Sequence, residues 1–120
     1  MRFNVELLLN TETIPKDKNR VILSLIKHNF SSYDEDYYSK LYGKDSNKVK
    51  SFTFSLYMAN CKFLREEIVI PGKKVILNFS THDLKDGIMF YNSFLYNKGL
   101  EYPVKNNSVK INRIQLNNEK

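Results

Sequence analysis

A chain of 120 residues with 42% hydrophobic and 13% aromatic content can bury one core and is too short for two ordinary domains. No apolar run approaches the length of a membrane span, and the single cysteine, Cys61, excludes a disulfide framework and a cysteine-based zinc site. Nineteen Lys and Arg against 13 Asp and Glu leave a formal net charge of +6, which favours a polyanionic partner.

The opening MRFNVELLL alternates Phe3, Val5, Leu7 and Leu9 with Arg2, Asn4 and Glu6, the period-two pattern of a half-buried strand. It carries no cleavable signal pattern, so the sequence predicts a cytoplasmic protein without a membrane partner. NTETIPKDKN then reads as a turn region with Pro15 near a helix start. Beyond it Val21, Ile22, Leu23, Leu25, Ile26 and Phe30 fall on one broad helical arc, and Arg20, Ser24, Lys27 and His28 on the remainder. Ser32 followed by Glu35 fits a capping box that opens a second, short helix carrying Tyr37, Tyr38, Leu41 and Tyr42 and ending at Gly43.

After the lysine-bearing loop KDSNKVKS, Phe52, Phe54, Leu56 and Met58 alternate as a strand. EEIVI and the Pro71-Gly72 turn lead into a further strand with Val75, Leu77 and Phe79 inward, the two forming an antiparallel arm. From Leu84 to Lys98 helical spacing returns with Leu84, Ile88, Tyr91, Phe94 and Leu95, and Gly99 stands at the carboxy-terminal cap. In SVKINRIQL, Val109 and Ile111 are out of phase with Ile114 and Leu116, which calls for a β-bulge near Asn112. Cys61 is placed in or beside a strand. The order strand, helix, strand, strand, helix, strand predicts a single α+β, ferredoxin-like (βαββαβ) domain with an antiparallel sheet and helices on one face.

That fold hosts many activities, so function must come from a site. The open sheet face carries Arg2, Asn4, Glu6, Thr53, Ser55, Tyr57, Asn78 and Ser80. Only Tyr57 offers a stacking platform, which argues against a standard RNA recognition motif. The glycines Gly43, Gly72, Gly87 and Gly99 stand alone at turns or caps, so no Gly-rich phosphate loop is present. The two histidines, His28 and His82, lack carboxylates at ligand spacing, so neither a metal site nor a cofactor is expected.

Taken together, MRFNVELLL, VILSLIKHNF, SFTFSLYM, VILNFSTHD and GIMFYNSFL resemble the amino-terminal half of the CRISPR-associated repeat-cleaving endoribonucleases, the Cas-six family. FTFSLYM followed by ILNFST is the most distinctive part. The resemblance implies that residues 1–120 form one ferredoxin-like domain of the RAMP type, without the family's second domain and its Gly-rich loop. It implies metal-independent cutting of CRISPR repeat RNA by attack of a ribose 2′-OH on the adjacent phosphate, leaving a 2′,3′-cyclic phosphate and a 5′-OH. The implied partners are repeat RNA and, for a half-length chain, a carboxy-terminal partner domain, other CRISPR proteins or a homodimer mate.

Such chemistry needs proton transfer at the 2′ and 5′ oxygens and cations around the phosphorane. Imidazole suits the proton transfer, with an unperturbed pKa of about 6.5. His28 lies at the edge of the helix's apolar arc and matches the family's helix-one histidine; its bland reading is a rim residue with no chemical role. Tyr42 and Lys50 correspond to the family's supporting positions, with Tyr37 or Tyr38 and Lys48 as alternatives in a loop of indefinite alignment. Tyrosines at helical spacing also serve as ordinary packing residues. Arg20, Lys27, Lys44 and Lys48, with Lys50, form a basic strip toward His28 that would hold phosphates without reading bases; the loop lysines otherwise form a solvated segment. His82 reads as structural, beside Thr81 or Asp83 as a cap. Three functions follow: a catalytic domain, a non-catalytic half-length relative that binds repeat RNA or a CRISPR protein, and a small-molecule regulatory domain.

Overall fold

The computed structural model describes residues 1–36, 39, 52–104 and 107–117. Arg2–Leu9 forms β1, Phe52–Tyr57 β3, Lys74–Thr81 β6, Glu101–Val104 β7 and Asn107–Asn117 β8. They make one antiparallel sheet in the order β3-β6-β1-β8-β7. Both helices, α1 (Lys18–Tyr33) and α2 (Leu84–Tyr96), pack on the same face. The protein is therefore α+β with the ferredoxin-like βαββαβ plan, and β7 is a hairpin strand added at one edge.

The strict alternation of β1 and β6 sends Phe3, Val5, Leu7, Val75, Leu77 and Phe79 into the core, with Phe3 opposite Phe79 and Val5 opposite Leu77. Their rings stack at 4.8 Å, and Phe52, Phe90 and Phe94 gather around Phe79. From the helices, Ile22, Leu25, Ile26 and Phe30 of α1 close over this aromatic centre beside Phe90 and Phe94 of α2. Burying each such ring contributes about 1.5–3 kcal/mol. The expected bulge is present: Glu6 pairs with Arg113 and Leu7 with Ile111, so Asn112 is the extra residue. It lets Val109 and Ile111 face inward and returns Ile114 to the core margin.

Several expectations are corrected. NTETIPKDKN is not all turn: Thr13–Pro15 forms β2, which pairs with β5 (Glu67–Val69), itself paired with β4 (Lys62–Phe63). Residues 67–69 therefore join this separate small sheet and do not form an arm with β6. Ile14, Ile68 and Ile70, all buried, carry that sheet's share of the core. Cys61 lies beside β4, partly buried against the core. Ser32 does not open a new helix, because α1 runs through it to Tyr33 and its hydroxyl donates back to the Asn29 carbonyl at 3.0 Å. Helical backbone resumes at Glu35 and Asp36; Tyr37, Tyr38, Leu41, Tyr42 and Gly43 lie outside the described residues.

In α2 the apolar residues at helical spacing are not all buried. Leu84, Ile88 and Leu95 are exposed, whereas Gly87, Phe90, Ser93 and Phe94 are buried. Gly87 is neither turn nor cap; a Cβ there would stand 2.7 Å from Met1 Sδ and 2.9 Å from Thr81 Cγ2, so its lack of a side chain sets how close α2 comes to the sheet. The ends of α2 follow expectation. The Asp83 carboxylate accepts from the Asp86 amide at 2.9 Å, and Gly99 has φ +86, a conformation that favours glycine.

Candidate functional site

The wide apolar arc of α1 fixes which way its polar residues point. With Ile22, Leu25, Ile26 and Phe30 buried, Arg20, Ser24 and His28 follow one another at successive turns on the exposed side. A cleft of about 640 Å³ opens beside this row. Its walls are the first turns of α1 (Asp17, Arg20, Val21, Ser24), Pro15 and Lys16 after β2, Arg65 and Glu66 before β5, and Tyr102, Pro103 and Val104 of β7.

Three cations, Lys16, Arg20 and Arg65, share the cleft with two carboxylates, Asp17 and Glu66. All five are exposed, so their fields are screened, and they act on an anion that enters the cleft more than on the protein's stability. The cleft's shape comes from the small sheet, where the Lys16 amide donates to the Glu66 carbonyl at 3.2 Å and ties its two sides together.

His28 lies one turn beyond Ser24 on α1, outside the residues that line the cleft. It is exposed, and its ring lies 4.9 Å from that of Tyr102, centroid to centroid, at a tilt of 39°. One turn back along α1, the Ser24 hydroxyl is hydrogen-bonded to the Tyr102 hydroxyl at 2.6 Å. The imidazole is thus connected to the cation-bearing cleft through Tyr102 and Ser24, which line it. It is exposed to solvent and is not sealed in hydrocarbon.

Among the expected site residues, the structure brings Arg20 and His28 to this one region. Lys27 shares the helix but is half-buried and does not line the cleft. Tyr42, Lys44, Lys48 and Lys50 lie outside the described residues. His82 is exposed at the far end of β6, after Thr81, whose Oγ1 accepts from the Asp83 amide at 3.2 Å. The open sheet face carries the expected polar set, with Ser80 between Arg2 and Thr53 and Asn78 between Asn4 and Ser55.

Lys16, Arg65 and above all Tyr102 were not anticipated. The signal for Tyr102 was the alternation of Tyr102 and Val104 with Glu101 and Pro103 in EYPV, too short to read as a strand. Pro103 marks the edge position that β7 occupies, since proline cannot donate to a ladder.

No protein-family model matches the chain, and no curated protein matches it. Solved structures do. A RAMP protein binding different RNA substrates superposes with a TM-score of 0.79 at 20% identity, over 100% of this chain and 49% of that one. A CRISPR-associated protein Cas6 gives 0.71 at 24%, over 100% and 50%. The product of a Cas6-related gene from Pyrococcus furiosus gives 0.78 at 15%, over 100% and 49%. The chain spans about half the length of these structures, and the likeness establishes the shared fold.

Proposed function

We propose that this chain is a CRISPR repeat RNA-binding and RNA-processing domain, in which His28 moves a proton at the scissile phosphodiester. The observation that carries the reading is the exposed imidazole of His28 against Tyr102, a residue that lines the cleft bearing Lys16, Arg20 and Arg65. The fold shared with Cas6 structures points the same way.

In the reaction, neutral His28 takes the proton of the ribose 2′-OH as that oxygen attacks the neighbouring phosphorus. The bond from phosphorus to the 5′ oxygen breaks, leaving a 2′,3′-cyclic phosphate on one product; the departing 5′ oxygen takes a proton from solvent water to become a 5′-OH, and the proton on His28 returns to solvent. The residues do this without a metal. Arg20, with Lys16 and Arg65, holds flanking phosphates, and Lys27 adds charge along the same helix. Tyr42 and Lys50 are assigned to support the phosphate, with Lys44 and Lys48 extending the basic strip.

The test is end-labelled repeat RNA incubated with the full chain in EDTA, with the product ends analysed. Cyclic-phosphate ends are expected, and His28→Ala should lower the cleavage rate by about 10²–10⁴-fold. Cutting that survives His28→Ala overturns the assignment. Binding without cutting replaces it with a non-catalytic RNA-binding domain.

A further inference from the structure

Tyr102 takes no part in the proton transfer or phosphate binding described above, yet it makes two contacts with α1 on successive turns. It comes from β7, 78 residues along the chain from Ser24, and is half-buried. Its backbone is held in the ladder opposite Val109, its hydroxyl by Ser24 at 2.6 Å, and its ring lies against His28 at 4.9 Å. An exposed histidine with no neighbour samples several side-chain rotamers and loses that freedom only when substrate arrives. A ring anchored at two other points removes much of the freedom beforehand.

We infer that Tyr102, braced by Ser24, is a positioning residue that holds the His28 imidazole in its reactive orientation beside the cleft that Tyr102 lines. The inference rests on the proton-transfer role proposed for His28. Preorganisation of this kind acts on the rate of the chemical step, because misplacing a reacting group by about 1 Å costs on the order of 10²-fold. A residue that merely ties β7 to α1 would affect folding stability and leave that step alone.

Two experiments on the full chain test it. The first uses proton NMR of the two histidines, with the His28 signals assigned from their loss in His28→Gln. The ring current of Tyr102 should displace the His28 ring protons, Tyr102→Leu should abolish the displacement, and Tyr102→Phe should keep part of it. The second is cleavage kinetics: Tyr102→Leu should lower kcat by about 10- to 100-fold with KM unchanged. Tyr102→Phe and Ser24→Ala should have smaller effects in the same direction, and they carry the test should the leucine variant fail to fold. In a His28→Ala background Tyr102→Leu should cause no further loss, since the group it positions is gone.

Undisplaced imidazole signals, a change in KM alone, or an equal loss in the His28→Ala background would each overturn the positioning role. A wild-type chain that shows the displacement but never cuts RNA retires the nuclease reading, and with it reduces Tyr102 to a structural tie. The NMR arm thus separates a failure of this inference from a failure of the function it rests on.

Discussion

The two helices lie on the same face of one sheet, yet they present opposite surfaces to water. α1 turns Arg20, Ser24 and His28 outward, whereas α2 turns out Leu84 (65% exposed), Ile88 (45%), Leu95 (44%) and Tyr96 (61%). The difference shows that apolar spacing on a helix does not by itself identify the buried side. In α1 the apolar residues fit on one arc, so burial has a single solution and the polar remainder is free to carry chemistry. α2 has one apolar arc, wider than the core takes, and the two edges of that arc compete for burial. Gly87, Phe90 and Phe94 win because the glycine permits close approach and the two rings complete the aromatic cluster around Phe79.

Substitutions on the two faces should separate these roles. Phe90→Ala removes a buried ring that contacts Phe30, Phe52 and Phe79, and should lower the unfolding free energy by about 3–5 kcal/mol in a denaturant titration. Asn97→Ala should cost about 1–3 kcal/mol, because the buried Asn97 amide donates to the Asn29 carbonyl and the Ser93 carbonyl and so links the two helices. Gly87→Ala should destabilise by about 1 kcal/mol: overpacking costs about 1–3 kcal/mol, and the alanine's helix propensity returns about 1 kcal/mol of it.

The smallest stability effect belongs to the exposed stripe. Ile88→Ser should leave the unfolding free energy within about 0.5 kcal/mol and leave RNA binding unchanged. Arg20→Ala should be equally quiet in stability, but should reduce the slope of log affinity against log salt by about one. A large loss of stability in Ile88→Ser would mean that the buried and exposed faces of α2 have been assigned the wrong way round.

Much of the fold was legible because its main elements repeat their period several times. β1, β6 and α1 each show enough turns or alternations to define an inward side, and the phase break between Ile111 and Ile114 located the bulge at Asn112. The small sheet was not legible: Thr13–Pro15, Lys62–Phe63 and Glu67–Val69 are too short to establish a period, and each gains its strand character from a partner distant in sequence. β7 escaped for the same reason. At the site, Arg20 and His28 followed from the helix pattern. Lys16 and Arg65 did not, because loops around the small sheet bring them to the cleft.

By itself the sequence determined the order of the long elements β1, α1, β3, β6, α2 and β8, the inward face of α1 and hence the emergence of His28 at a polar border, since these depend on local periodicity and on removing apolar side chains from water. Tertiary structure alone decided which face of α2 is buried, where residues 67–69 pair, and that Tyr102 meets Ser24 and His28. Those outcomes turn on shape complementarity and strand partnership between distant segments, which no local pattern encodes.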